Sequence, residues 1–185
     1  SSMLAALKFL FATLILAVNT LVLCSSMIPF ALAKLVLPIT PVRHVCDRAL
    51  MGIAALWMDI NNFWLGAVNP VRWQVSGVDG LDPRGWYLVA SNHQTWVDIL
   101  VLQRVFNRRI PMLKFFTKKE LIYVPVIGLA WWALDFPFMQ RKGGASARAD
   151  LEAGRKACEK FRLVPTSVMS FVEGTRFTPA KHAQQ

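Results

Sequence analysis

From Phe9 to Ala33 the chain runs 25 residues without a charged side chain, between Lys8 and Lys34. As a helix, at about 1.5 Å of rise per residue, such a run reaches past the roughly 30 Å hydrocarbon core of a bilayer. Its Leu, Ala, Val, Ile and Phe content leaves a soluble fold little use for it, so the first expectation is a membrane helix. A secretory signal is the competing reading, because Ala31-Leu32-Ala33 resembles a cleavage site, but the run is longer than a signal's apolar core. Pro29, Pro38 and Pro41 interrupt helix formation, so the segment can also bend back within one leaflet. Ser1-Ser2 reads as a remnant of tag removal, with Met3 as the natural start.

A second helix is expected from about Val42 to Val68. Leu50, Ile53, Trp57, Ile60, Trp64 and Val68 recur every three or four residues as one apolar stripe, with Arg48, Asp59, Asn61 and Asn62 largely off it. Trp at two stripe positions suits the bilayer's interfacial zone, which favours a surface-lying amphipathic helix. Packing on the domain's own core is the alternative. The rest of the composition agrees with lipid contact: 55% of residues are hydrophobic, seven are Trp and twelve Phe, and mean hydropathy is +0.39. The net charge of +10 calls for an anionic partner, and in so apolar a chain anionic lipid fits better than nucleic acid, for which no recognition motif occurs. Cys24, Cys46 and Cys158 have no metal-ligand spacing, so neither a disulfide framework nor a metal site is expected.

Past Asn69-Pro70 the character changes, dividing the chain into membrane-anchoring helices over 1–69 and a globular α/β domain over 70–185. Val71 to Val78 alternates like a strand and Trp86 to Ala90 is a short apolar run suited to a buried one. A helix is expected from Thr95, an apolar run at Ile110 to Phe116, and a helix from Thr117, whose spacing to Glu120 is that of a capping box. Pro125 interrupts that helix, which resumes over Val126 to Leu134. A strand at Phe136 to Met139, an amphipathic helix at Ser146 to Phe161 and a strand at Val168 to Val172 complete the series. Such alternation predicts a largely parallel sheet flanked by helices, preceded by a membrane-associated helical pair.

Candidate chemistry lies at the ends of these strands. Ser91-Asn92-His93-Gln94-Thr95-Trp96-Val97-Asp98 spans a strand-to-helix turn, where an acid can fix an imidazole's tautomer while the free nitrogen takes a proton. The plainer reading makes Asp98 a helix cap and His93 a polar loop residue. Backbone N–H groups opening the Thr95 helix are candidate donors to an oxyanion. Glu173-Gly174-Thr175-Arg176 follows the last strand, where open α/β sheets place ligands; Gly174 permits a sharp turn, and Arg176 offers a planar fork for phosphate. A glycine turn with a surface ion pair is the alternative. Arg104, Arg108, Arg109, Lys114, Lys118 and Lys119 fall within sixteen residues that contain no acid. With Phe115 and Phe116 among them, they suggest a face resting on anionic headgroups. Lys119 and Arg141, each at the end of an element, are placed to line a pocket.

Taken in order, Asn92-His93 with Asp98, Lys119-Glu120-Leu121 with Pro125 and Gly128, Phe138-Met139-Gln140-Arg141, and Glu173-Gly174-Thr175-Arg176 strongly resemble the glycerolipid acyltransferases. That family includes the lysophosphatidic acid acyltransferases, and the resemblance is closer to its lysophospholipid and lysocardiolipin branch. It covers about Val71 to Lys181. It implies transfer of a fatty acyl group from acyl-CoA or acyl-ACP (acyl carrier protein) to the free hydroxyl of an anionic lysophospholipid, with no cofactor and no metal, at the cytoplasmic face of the cytoplasmic membrane. It also implies His93 as general base, Asp98 as its orienting partner, and Lys119, Arg141, Glu173, Gly174, Thr175 and Arg176 as the acceptor-binding set. Family members continue beyond the Glu-Gly-Thr-Arg loop with a further strand and helix, so the chain is expected to be cut short there. No Gly-x-Ser-x-Gly turn occurs, which argues against a serine hydrolase. A phospholipid transacylase and a non-catalytic lipid-binding module are the rival functions.

Overall fold

Pro29 decides where the first apolar run breaks. Lacking an N–H, it cannot donate to the carbonyl four residues back. Helix α1 (Ser2–Ser26) therefore ends just before it, and α2 (Ile28–Val36) starts with Pro29 in its first turn. Met27 between them stays helical at φ −75°, ψ −21°. Met3–Val36 is consequently a 34-residue run long and apolar enough, by length and composition, to cross a membrane. The structure is a computed structural model and describes residues 2–68, 70–95, 97–139, 146–162 and 164–171.

The chain forms two compact units, one of residues 1–74 with 119–135, the other of 75–118 with 136–185. In the first, α3 (Thr40–Val68) runs back along α1 and α2. Phe11 meets Trp64 edge-on at 5.8 Å, Asn19 meets Asn61, and Lys34 meets Asp47. The face of α3 that is buried carries Cys46, Leu50, Ala54, Met58 and Asn61, a stripe rotated from the expected one that shares only Leu50 with it. Small residues at 46 and 54 let helices approach closely, which the bulky Trp57 and Trp64 would prevent. The tryptophans flank the seam instead. Outside the seam, Leu4, Leu7, Phe9, Leu10, Leu14, Leu35 and Val36 remain more than half exposed, an outer surface suited to hydrocarbon.

Two polar clasps fix the register of this hairpin. Asn19 donates to the Trp57 carbonyl (3.2 Å) and to Asn61 Oδ1 (2.7 Å), while Trp57 Nε1 donates to Thr20 Oγ1 (3.0 Å). At the other end Lys34, buried, places its ammonium on Asp47 (2.6 Å), Asp135 (3.1 Å) and the Ala133 carbonyl (2.9 Å). An ammonium has three protons, and here three acceptors satisfy it.

The segment Lys119–Asp135 completes this unit. Thr117 opens no helix. Thr117–Lys118 is a strand, β3, Thr117 Oγ1 bonds the Phe115 carbonyl, and only a 3-10 turn follows at Lys119–Tyr123. The expected capping box therefore does not form, because Thr117 takes its backbone partner from Pro137 across a ladder. Val126 then adopts φ +64°, and the Ile127 N–H bonds the Pro125 carbonyl at 2.7 Å. This is a tight γ-turn, costly for a β-branched residue. It starts α5 (Ile127–Ala133) so near the 3-10 turn that a Cβ at Gly128 would collide with the Ile122 carbonyl.

The second unit holds the sheet. Strands β1 (Tyr87–Ser91), β2 (Leu113–Phe115) and β5 (Ser167–Phe171) are parallel in the order β1-β5-β2, and β3 pairs in parallel with β4 (Phe138–Met139). Helix α4 (Val97–Phe106) follows β1, and α6 (Ser146–Phe161) precedes β5. Ile110, Leu113 and Met169 form the centre of the core, joined by Tyr87, Val89, Leu102, Phe106, Phe115 and Phe171. The α/β architecture with a largely parallel sheet and leading apolar helices is thus as the alternation predicts. Residues 71–78 are the exception. They join no strand, and Val71, Trp73 and Val75, the apolar half of the alternation, are 40–61% exposed. Alternation makes a strand only where a ladder partner and a core exist to receive it.

Replacing Gly128 with Ala forces a methyl group into backbone rather than into a yielding side chain, at a cost of about 3 kcal/mol. The expected result is a lower unfolding midpoint in detergent solution for Gly128→Ala, whereas the comparison Gly154→Ala, inside α6 with open space for its Cβ, leaves the midpoint unchanged or raises it slightly.

Candidate active site

Parallel strands end on one edge, so residues that follow or finish β1, β2 and β5 gather there. Ser91, the last residue of β1, is in register with Phe171, the last of β5. His93 lies two residues past the end of β1, and Asp98 is the second residue of α4. Thr95 begins that helix as its sequence suggests. Its Oγ1 accepts from the Val97 N–H at 3.2 Å, and Asp98 Oδ2 reaches back to accept the Thr95 N–H at 2.8 Å, the reciprocal pattern of a capping box.

The same oxygen does more than cap. Asp98 Oδ2 also accepts the Gln94 N–H at 2.7 Å and faces His93 Nδ1 at 3.2 Å. Three donors thus converge on one carboxylate oxygen. Hydrogen bonds from the Thr95 N–H first, then the Gln94 N–H and the His93 side chain, hold the Asp98 carboxyl below its usual value, despite some opposing desolvation. An ionised acid is an acceptor only, so the Nδ1 of a neutral imidazole must donate to it. That assignment leaves the Nε2 lone pair for an incoming proton. The His93 and Asp98 side chains are 15% and 29% exposed, sheltered from bulk water and still reachable.

Phe171 supplies a contact that no motif in the sequence announces. Its ring stacks on the His93 imidazole with centroids 4.0 Å apart and planes 18° apart, and Phe115 stacks behind it at 6.3 Å and 27°. The available signal was its position, last in the β5 run and two residues ahead of Glu173.

One expectation is narrowed at this turn, where the Trp96 N–H lies outside the described residues, and one is corrected beside it. The N–H groups of Gln94, Thr95 and Val97 are taken by Asp98 and Thr95, so they do not stand open for an oxyanion; the local geometry that holds the acid consumes them. Lys114 does not join a basic outer face. It is buried on β2, with its ammonium 5.1 Å above the Phe161 ring, and Phe115 packs against the core.

Of the expected site residues, His93 and Asp98 are brought together. Lys119 opens the 3-10 turn in the other compact unit, with an exposed side chain. Arg141, Glu173, Gly174, Thr175 and Arg176 lie outside the described residues. Among the described residues no three His, Cys, Asp or Glu side chains gather as metal ligands.

An α/β protein with a lipid-compatible helical hairpin and a His–Asp pair at the carboxyl edge of parallel strands is the class that fold and site define. The Acyltransferase family model matches residues 72–185, and the chain belongs to that family. It is 38% identical over 97 residues to 1-acyl-sn-glycerol-3-phosphate acyltransferase 3 of Arabidopsis thaliana, covering 51% of this chain and 25% of that one. An uncharacterised acyltransferase of Schizosaccharomyces pombe is 36% identical over 135 residues, 72% of this chain and 42% of its own. The alpha form of 1-acyl-sn-glycerol-3-phosphate acyltransferase of Homo sapiens is 30% identical over 107 residues, 57% of this chain and 35% of its own. In these three matches the aligned part covers a quarter to under half of the relative's length. No solved structure matches the chain significantly.

Because Asp98 is held below the ordinary carboxylate value, its bonds stabilise the fold fully above the unfolded value of about 3.9 and are lost as pH falls through the lower native value. Unfolding followed from pH 6 down to pH 2 is expected to show a loss of stability over that window in the wild type. The loss is smaller in Asp98→Asn, which has no charge to titrate there.

Proposed function

We propose that the protein is a membrane-bound O-acyltransferase that moves a fatty acyl group from a thioester donor to the free hydroxyl of an anionic lysophospholipid. The acceptor is 1-acylglycerol-3-phosphate or a related lysophospholipid. The observation that carries this reading is the single Asp98 oxygen that binds His93 Nδ1 and fixes its turn. A glycerol hydroxyl is a weak nucleophile near neutral pH, and a positioned imidazole is what it lacks.

In the reaction so read, His93 Nε2 takes the hydroxyl proton as the oxygen attacks the thioester carbonyl. The tetrahedral adduct collapses with rupture of the C–S bond, and the imidazolium returns its proton to the departing thiolate. No acyl-enzyme forms, and the charge balance closes on His93. Asp98 remains ionised throughout and steadies the imidazolium between the two proton transfers. Acyl-CoA and acyl-ACP both meet this chemistry as donors.

Lys119, Arg141, Glu173, Gly174, Thr175 and Arg176 are proposed to bind the acceptor. Arg176 is assigned the phosphate, for which its planar fork is suited. The division into anchoring helices over 1–69 and a catalytic domain over 70–185 belongs to the same reading. So does a location at the cytoplasmic face of the cytoplasmic membrane, supported by the apolar Met3–Val36 run.

A panel of donors and acceptors, assayed with the full-length protein in phospholipid vesicles, tests it. His93→Ala is expected to lower turnover by about 10²–10⁴-fold and to leave vesicle binding unchanged. Undiminished turnover in that variant overturns the reading, and activity with phospholipid alone as donor replaces it with transacylation. Arg176→Ala is expected to raise the acceptor KM about tenfold or more, in line with loss of a charge-assisted hydrogen bond, with a smaller effect on the donor KM.

A further inference from the structure

A hydrogen bond at Nδ1 locates one atom of an imidazole but does not orient the ring. The χ2 torsion of His is broad, so the plane can swing while the Nδ1 contact survives, and Nε2 swings with it. In this structure the Asp98 bond at 3.2 Å is long enough to allow such movement. What restricts it is the face of Phe171, 4.0 Å from the imidazole and within 18° of parallel.

Phe171 is itself held. It ends β5, the strand between β1 and β2, and Phe115 at the end of β2 lies behind its ring at 6.3 Å. The stack therefore connects the carboxyl ends of two neighbouring strands to the turn that carries His93. A flat ring face fits both states of the base. It packs against neutral imidazole, and its negative quadrupole attracts the imidazolium once the proton has moved.

We propose that Phe171 is a positioning residue for His93, fixing the plane in which Nε2 meets the acceptor hydroxyl while Asp98 fixes the tautomer. This rests on the proposed role of His93 as general base. It assigns to the last apolar residue of β5 a function separate from filling the core. A side chain of similar bulk without a flat face retains the core contact and loses the orientation.

The test uses full-length protein in phospholipid vesicles, with lysophosphatidate and acyl-CoA as substrates. Phe171→Leu is expected to lower kcat by about 10- to 100-fold, the scale of a misplacement near 1 Å, and to leave both KM values within about threefold. Phe171→Tyr keeps the flat face and is expected to stay within about threefold of wild type in kcat. In a His93→Ala background, Phe171→Leu is expected to lower the residual rate no further, since there is no imidazole left to orient. Should Phe171→Leu fail to fold, Phe171→Met takes its place with the same expectation. The inference is overturned if the Leu variant keeps wild-type kcat, if Tyr is as impaired as Leu, or if the loss persists without His93. Full turnover in His93→Ala alone overturns the catalytic reading instead, so the two failures are distinct.

Discussion

One carboxylate oxygen organises the candidate site. Asp98 Oδ2 gathers the Gln94 and Thr95 N–H groups and His93 Nδ1, joining the start of α4 to the turn that leaves β1. Each bond alone is ordinary. Together they make helix initiation, turn geometry and the placing of His93 Nδ1 a single event, so the turn cannot relax without releasing the imidazole. The charge on the acid is secured by the same donors, with the backbone contributing first. Asp98 caps the helix and holds His93 Nδ1 with the same oxygen, so the capping geometry is what places that nitrogen.

How much of this was legible follows from which interactions are local. The β1-to-α4 turn was readable because Thr95 and Asp98 bond to main chain within four residues. The span of α6, Ser146 to Phe161, was readable because its pattern is purely helical. The alternation of elements also gave a parallel sheet, since α4 has to carry the chain back across it. The interior of the helical hairpin was less so. Periodicity places its stripe on the large residues, whereas close approach selects Cys46 and Ala54. Thr117 and Glu120 matched a capping box, but a ladder partner twenty residues away at Pro137 overrode the local preference. Phe171 was visible as an apolar strand residue, and nothing in its neighbours announced that it would face an imidazole from another strand's turn.

The helical unit shows the same division between local and distant determinants. Its apolar run is evident from composition, but its register depends on a few polar contacts, Asn19 with Asn61 and Lys34 with two carboxylates. Polar pairs in weakly solvating surroundings exchange less readily with water, so they discriminate between alignments that hydrophobic contact alone leaves close in energy. The Pro125 to Gly128 turn acts comparably within the segment 119–135. A strained residue at Val126 and an obligatory glycine close the 3-10 turn upon α5 and leave little choice in how that segment packs.

Strand order carries a consequence for biosynthesis. The central strand of the three is the last of them to leave the ribosome, beginning about fifty residues after β2 is complete. At about 5–20 residues per second this is a delay of roughly 3–10 s. Until then β1 and β2 have no partner in the sheet among the described residues, and both are apolar edges open to mispairing. The nascent chain therefore emerges with its histidine turn already coded but without the strand that stacks Phe171 on His93, and that contact waits until translation has passed the centre of the sheet.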